Sequence, residues 1–256
     1  MKNIIVKKII YIGLSVISCI VLGFFLYQPA QKASADELIV GSSVEFPPFE
    51  FKENGVYKGF DIDMLNEIGK ILNKKIVIKD VAFDTLLLEA QSGTIQVIAS
   101  GMTPTPERAE KVLFTKPYVG TEGSSLVCVM LAPNNITKFE ELYDKEVLVC
   151  DSHTSEQYLK KYPQIHLKSL QSIGEAFLAL NCSKAFAFVL AQNLLAPFFE
   201  KYGKENYNVF DLNILDPSAL GISKHHPELL EPIQKALDEL ESNGTLQKLK
   251  TQWNVA

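Results

Sequence analysis

Four cysteines and four histidines are all that 256 residues offer to metal or disulfide chemistry. No two cysteines form a Cys-x-x-Cys pair, and His153, His166, His225 and His226 are not spaced with cysteines or acids as metal ligands are. A zinc site and a dense disulfide framework are therefore not indicated. No Gly-x-Ser-x-Gly stretch supports a serine nucleophile. Low-complexity tracts and short repeats are missing too. So is any surplus of basic charge: the chain carries −5, and all 30 acids but only 21 of the 25 basic residues fall in 36–256, a net −9 for that part. Such an acidic body repels a phosphate backbone, which argues against nucleic-acid binding. What is present is 47% apolar residues, enough for real cores, at a length that suits one large domain or two small ones.

The one long apolar run is N-terminal. Basic Met1–Lys8 precedes an uncharged stretch from Ile9 to Tyr27, then polar Gln28–Lys32 and Ala33-Ser34-Ala35. This reads as an export signal over residues 1–35, with Asp36 first in the mature chain outside the cytoplasmic membrane. Two other readings stay open. The run over 9–27 is long enough for an uncleaved anchor, and Val16-Ile17-Ser18-Cys19 suits a lipid-modified Cys19, although the apolar run continues beyond it where a polar tether is expected. Removal of the leader leaves Cys128, Cys150 and Cys182. Buried free thiols are expected, with a single Cys150–Cys182 bridge as the alternative in an oxidising compartment.

From residue 36 on, β-rich runs alternate with amphipathic stretches, the pattern of an α/β fold with largely parallel sheets. Leu38–Ser43, Ile76–Val81 and Val97–Ala99 read as strands. Ile62, Leu65, Ile68 and Leu72 set a helix over Asp61–Leu72 that Asn73 ends, and Thr85–Ser92 is a second helix closed by Gly93. Thr105-Pro106 supplies a capping hydroxyl and an N-terminal proline for a third. Ser124–Met130 opens a second unit, in which Val147–Cys150, His166–Leu170, Ser172–Leu180 and Ala185–Leu190 repeat the alternation. Pro227–Glu241 and Leu246–Trp253 are helical, broken at Asn243-Gly244.

Ligands favour the edge where strands give way to helices. Ser100-Gly101-Met102-Thr103-Pro104-Thr105-Pro106-Glu107-Arg108 occupies such an edge. Gly101 admits a close approach to the backbone, Thr103 offers a hydroxyl and an amide, and Arg108 offers a fork matched to a carboxylate, together an anion clamp. A capped helix with a solvated arginine is the plainer alternative. Ser43 and Glu45 end the first strand at the same edge; Pro47-Pro48 stiffens the loop that holds Phe46, and Phe83 starts the next turn. Two rings could grip the aliphatic part of a ligand, with core packing as the alternative.

In this order the segments Gly41–Phe49, Gly59-Phe60-Asp61-Ile62-Asp63, Phe83-Asp84, Ser92-Gly93, Ser100–Arg108 and Phe114-Thr115-Lys116-Pro117-Tyr118 resemble the extracellular solute-binding proteins of polar amino-acid ABC transporters. The resemblance implies a two-lobed periplasmic-binding-protein type II fold: two α/β lobes joined by two crossing hinge strands, closing on a ligand. Residues 36–124 with 219–256 would form lobe one and 125–218 lobe two. Carried over by position, Phe46 and Phe83 stack on the ligand side chain, Ser100 and Gly101 accept from its ammonium, and Thr103 and Arg108 hold its α-carboxylate. The implied partners are a small amino-acid ligand, nearest to glutamine or arginine, and a membrane permease. The protein is expected to be a monomer without cofactor, metal or catalytic activity.

Two departures stand out. His153 occupies the glycine position of the family's second-lobe turn, here Asp151-Ser152-His153-Thr154-Ser155-Glu156. Thr154 and Ser155 still offer amides and hydroxyls, and Glu156 is expected to reach the ligand side chain, unless the turn serves only to cap the helix from Glu156 to Lys161. Ala191 stands where the family ends a strand with the aspartate that pairs with the ammonium. Enclosing an unpaired ammonium costs on the order of several kcal/mol. Glu45, Glu156 or Gln192 is therefore expected to substitute, unless the ligand is an atypical carboxylate without an α-amino group. Two rivals remain: a dehydratase-type enzyme on the same scaffold, which needs Glu45 or Glu156 in the cleft, and a partner-binding ectodomain.

Overall fold

A computed structural model describes residues 36–120 and 124–255; the expected leader, the anchor reading over 9–27 and Cys19 lie outside the described residues. The first strand, β1 (Glu37–Ser42), runs into a small antiparallel sheet made of β2 (Glu45–Phe46), β3 (Glu50–Glu53) and β4 (Val56–Lys58). Helix α1 (Phe60–Leu72) follows, with Phe60, Met64, Leu65 and Ile68 buried and Asn73 ending it in the left-handed region at φ 51°. Its start needs a glycine: Gly59 has φ +125°, and a Cβ there would meet the Phe49 carbonyl oxygen at 2.1 Å. Then come β5 (Lys75–Asp80), a 3-10 turn over Phe83–Thr85, α2 (Leu86–Gln91), β6 (Val97–Ile98), α3 (Pro106–Ala109) and β7 (Val112–Phe114).

The second unit opens with β8 (Ser125–Leu131) and continues through β9 (Glu146–Cys150), α4 (Thr154–Leu159), β10 (His166–Leu170), α5 (Ile173–Asn181), β11 (Ala187–Ala191), α6 (Ala196–Tyr202) and β12 (Tyr207–Leu215). The chain then returns to the first sheet as β13 (Gly221–Ser223) before α7 (Leu230–Ser242) and α8 (Thr245–Trp253). Strand order is β5-β1-β6-β13-β7 in one sheet and β10-β9-β11-β8-β12 in the other. The sheets are mixed rather than largely parallel. The βαβ strands pair in parallel, but β13 runs antiparallel to β6 and β7, and β8 antiparallel to β11 and β12. The reason is the double crossing: a strand that enters a lobe from the other one arrives without a crossover helix to set it parallel.

One hydrophobic cluster joins residues of both sheets, Leu38 and Val40 with Val127 and Val129 among them. In β8, Leu126, Cys128 and Met130 join one hydrophobic cluster and Val127 and Val129 another, the two-residue period of a strand covered on both faces. Phe177 of α5 stacks on Phe198 of α6 at 3.9 Å and meets Phe188 edge-on, so one face of the second sheet is closed by aromatic packing. Cys128 and Cys150 are buried free thiols, as expected, but Cys182 is free and exposed. The alternative Cys150–Cys182 bridge is not formed, because Cys182 caps α5 on the surface. Burial pushes the thiols of Cys128 and Cys150 up to about 12, which keeps both protonated.

Candidate functional site

Both sheets present their loop edges to one narrow cavity. From the first lobe come Phe46, Phe83, Gly101 and Thr103; from the second come Leu126, His153, Thr154, Ser155, Ala191, Asn193 and Leu194; Asp216 and Ser218 reach it from the returning crossing. Gly101 has φ +55°, and a Cβ on it would stand 3.1 Å from the Phe46 ring, so the backbone and the aromatic share one wall.

The second-lobe turn reaches into that wall. His153 lies 4.3 Å from Phe83 and 6.0 Å from Phe46 between ring centroids, which puts imidazole in the slot between the two phenylalanines. What is left free is about 20 Å³, room for about one water. Burial, and next the nearby Arg108 charge, bring the His153 pKa down to about 3, so the ring is neutral at any ordinary pH.

Arg108 is 1% exposed, not a solvated arginine. Its amide is held by the Thr105 hydroxyl at 3.3 Å. One guanidinium nitrogen donates to the Thr103 carbonyl at 2.9 Å and another crosses to the Ser152 carbonyl at 2.7 Å. Burial is the main reason its pKa falls to about 10, and Asp216 and Glu107 oppose the fall; it stays a cation. A second cross-lobe bond joins the Thr154 hydroxyl to the Thr103 hydroxyl at 2.9 Å, and Thr103 in turn donates to Asp216.

Other residues singled out in the sequence fall elsewhere. Ser100 is buried behind the cavity: its hydroxyl donates to Glu50 at 2.7 Å and accepts from the Ser43 amide at 3.1 Å. Glu156 does not line the cavity. Its two oxygens accept from the Ser152 amide and the Ser169 hydroxyl, and Lys160 lies 3.0 Å away, so the carboxylate is consumed inside its own lobe. Helix α4 starts at Thr154, two residues earlier than expected, which turns Glu156 away from the cleft. Gln192 is exposed at the strand end, and its neighbour Asn193 lines the cavity instead. Ser43 and Glu45 line a second, more open space of about 230 Å³ with Phe83, Asp80, Asp84 and Asp151, against which Gln171 and Ser172 also lie.

Asp216 is the residue that sequence reading missed. It stands in an irregular stretch between a strand that reads poorly and Pro217, and only the return of the chain through the hinge brings it beside Thr103. Burial raises its pKa, while hydrogen bonds from Thr103 and Thr154 and the Arg108 charge act against the rise. Behind the cavity a carboxyl pair also went unread: Glu50 and Asp61 are both 0% exposed. Asp61 accepts from the Tyr118 hydroxyl at 2.8 Å and from the Gly101 amide at 3.4 Å.

Comparison with known proteins points one way. The sequence model of the bacterial extracellular solute-binding proteins, family 3, matches residues 38–256. The arginine-binding extracellular protein ArtP of Bacillus subtilis is 30% identical over 226 residues, covering 85% of this chain and 86% of its own. Among solved structures, an ancestral arginine-binding protein bound to arginine superposes with a TM-score of 0.80 at 32% identity, covering 86% of this chain and 99% of that one. The same kind of ancestral protein bound to glutamine gives 0.79 at 33% identity, covering 86% and 99%.

Proposed function

The chain belongs to the bacterial extracellular solute-binding proteins, family 3, and from that premise we propose that it captures a polar amino acid between its lobes and hands it to the membrane permease of an ABC transporter. One observation carries the reading. A cavity is lined from both sheets, and the buried cation Arg108 stands beside it with one arm of its fork on the opposite lobe. A carboxylate entering there can take the place of the Ser152 carbonyl, exchanging a neutral acceptor for a charged one, and bidentate pairing with a guanidinium is among the strongest hydrogen-bonded contacts available. Thr103, Thr154 and Ser155 complete a polar wall for it, while Phe46 and Phe83 hold the aliphatic part once His153 has moved aside.

Residues 36–124 with 219–256 act as one lobe and 125–218 as the other, closing as a monomer around the hinge. The protein performs no covalent chemistry: Glu45 lies outside the cavity, and Glu156 is engaged within its lobe. Residues 1–35 direct export. Between glutamine-like and arginine-like ligands the second space favours a cationic side chain, because Glu45, Asp80, Asp84 and Asp151 surround it and Phe83 borders both spaces.

A thermal-shift screen of the purified protein against amino acids, small peptides and carboxylic acids tests this, since a ligand that prefers the folded state raises the melting temperature. A rise with one polar amino acid, lost in Arg108→Ala, is the expected result. Shifts only with acids that lack an α-amino group support the atypical-carboxylate reading instead, and no shift with any compound overturns the transport role.

A further inference from the structure

Asp216 is an acid in an awkward place. It lines a closed cavity, and no described Lys, Arg or His forms an ion pair with it within 4 Å. It has two hydroxyl neighbours, Thr103 and Thr154, each from a different lobe. With two hydroxyls and only the more distant Arg108 charge to support it, the buried carboxylate keeps much of its desolvation cost. Asn193 lines the same cavity, and its Oδ1 is buried without a hydrogen-bond partner. Leaving such an acceptor unmatched carries its full desolvation penalty. An acceptor that lacks a donor and a carboxylate that lacks an ion-pair partner therefore share a cavity that also holds the anchoring hydroxyl of Thr103. A compact cation with several N–H donors answers all three at once, and the position expected to carry an ammonium-pairing aspartate holds only the Ala191 methyl.

Resting on the amino-acid reading above, we propose that Asp216 and the Asn193 side-chain carbonyl form the subsite for the ligand's α-ammonium, with the Thr103 hydroxyl as the third acceptor. The charge that the strand end lacks at Ala191 is supplied from the hinge crossing. The ligand thereby spans the hinge (Asp216), the first lobe (Thr103) and the second (Asn193), so the ammonium contributes to closure as well as to selectivity. Acids without an amino group leave the Asn193 oxygen unmatched and Asp216 without an ion-pair partner, which is how the site rejects them.

Calorimetric titration with L-arginine, L-glutamine and 5-guanidinopentanoate, which is arginine without its α-amino group, separates the possibilities. Asp216→Asn is expected to weaken binding of the amino acids by about 30-fold or more while leaving the desamino acid unchanged or improved. Asn193→Leu is expected to lower amino-acid affinity several-fold in the same selective way, and it keeps the test open if the Asp216 variant does not fold. Adding Ala191→Asp to Asp216→Asn should restore much of the loss, because that side chain faces the same cavity. Equal losses for arginine and its desamino analogue, or no loss in either single variant, overturn the subsite while the transport reading stands. Failure of the unaltered protein to bind either amino acid, with uptake of the desamino acid only, overturns the subsite and the amino-acid reading together.

Discussion

A single proton links the ligand loop to the interior of the first lobe. Glu50 and Asp61 face each other with Glu50 Oε2 and Asp61 Oδ1 both buried and without another partner. A proton on Glu50 turns one of these oxygens into a donor to Asp61 and removes the repulsion between two charges in an apolar setting. Burial, then the neighbouring Asp61 charge, push Glu50 well above the usual carboxyl range, and burial lifts Asp61 to about 7. Both folded values exceed the unfolded ones near 4, so the folded chain holds protons that the unfolded chain releases. The stability that Asp61 contributes is complete below about pH 4 and disappears as pH rises through about 7, and the contribution of Glu50 is likewise lost as pH rises. Replacing Glu50 with Gln removes one titration and leaves an amide that can still donate to Asp61. The difference in melting temperature, unaltered minus Glu50→Gln, should therefore fall between pH 4.5 and pH 8; a flat difference would show that Glu50 titrates normally. Because Asp61 also holds the Gly101 amide and Glu50 holds Ser100, the same titration reaches the wall of the ligand cavity.

Among the secondary-structure elements, the shortest helix does the most for the site. Helix α3 spans only Pro106–Ala109, too short to persist by itself, yet it carries Arg108. Thr105 is in extended conformation, its hydroxyl accepts from the Arg108 amide, and Pro106 sets the first turn, so the fork is aimed by a cap. Thr105→Ala is expected to cost about 1 kcal/mol of stability and to weaken ligand binding in addition, whereas Thr105→Ser should preserve both. Paired unfolding and titration measurements check this, and a loss of stability without any loss of affinity would contradict the aiming role. This cap was legible, as were α1 with its Asn73 terminus and the core strands, since each is written in contiguous residues as a period or a capping pair. Strands β12 and β13 were not. In β12, Phe210, Leu212 and Ile214 alternate with Asp211 and Asn213, but Asn208 on the inner side and exposed Val209 and Leu215 on the outer blur the pattern, and β13 has three residues whose place inside the first sheet comes only from pairing with β6 and β7. Asp216 lies between these two strands and was lost with them. Phe46, Phe83, Gly101, Thr103, Thr154 and Ser155 line the cavity, and each sits beside a readable strand end. Glu156 and Gln192 do not line it, because the sequence shows which residues stand near an edge but not which local donors a side chain meets first.

At the scale of the whole molecule, the closed arrangement is held by the protein's own groups. Arg108 grips the Ser152 carbonyl, Thr154 meets Thr103, and the His153 ring stacks against Phe83 across the cleft. On the proposed binding role each of these contacts competes with the ligand, whose carboxylate would take the Arg108 fork and whose side chain would take the slot that imidazole fills. If both lobes moved freely, binding would have only the ligand's contacts to gain; here it must exceed the contacts it displaces, and affinity falls by whatever fraction of molecules is already closed on itself. His153→Gly removes the occupant of the slot and should tighten binding of side-chain-bearing amino acids such as arginine several-fold, while glycine, which has nothing to place there, should gain little. Calorimetry on the two ligands measures the ratio. A loss of arginine affinity in His153→Gly would mean that imidazole contacts the ligand rather than standing in for it, and equal gains for arginine and glycine would mean that the substitution acts on the opening of the lobes and not on the slot.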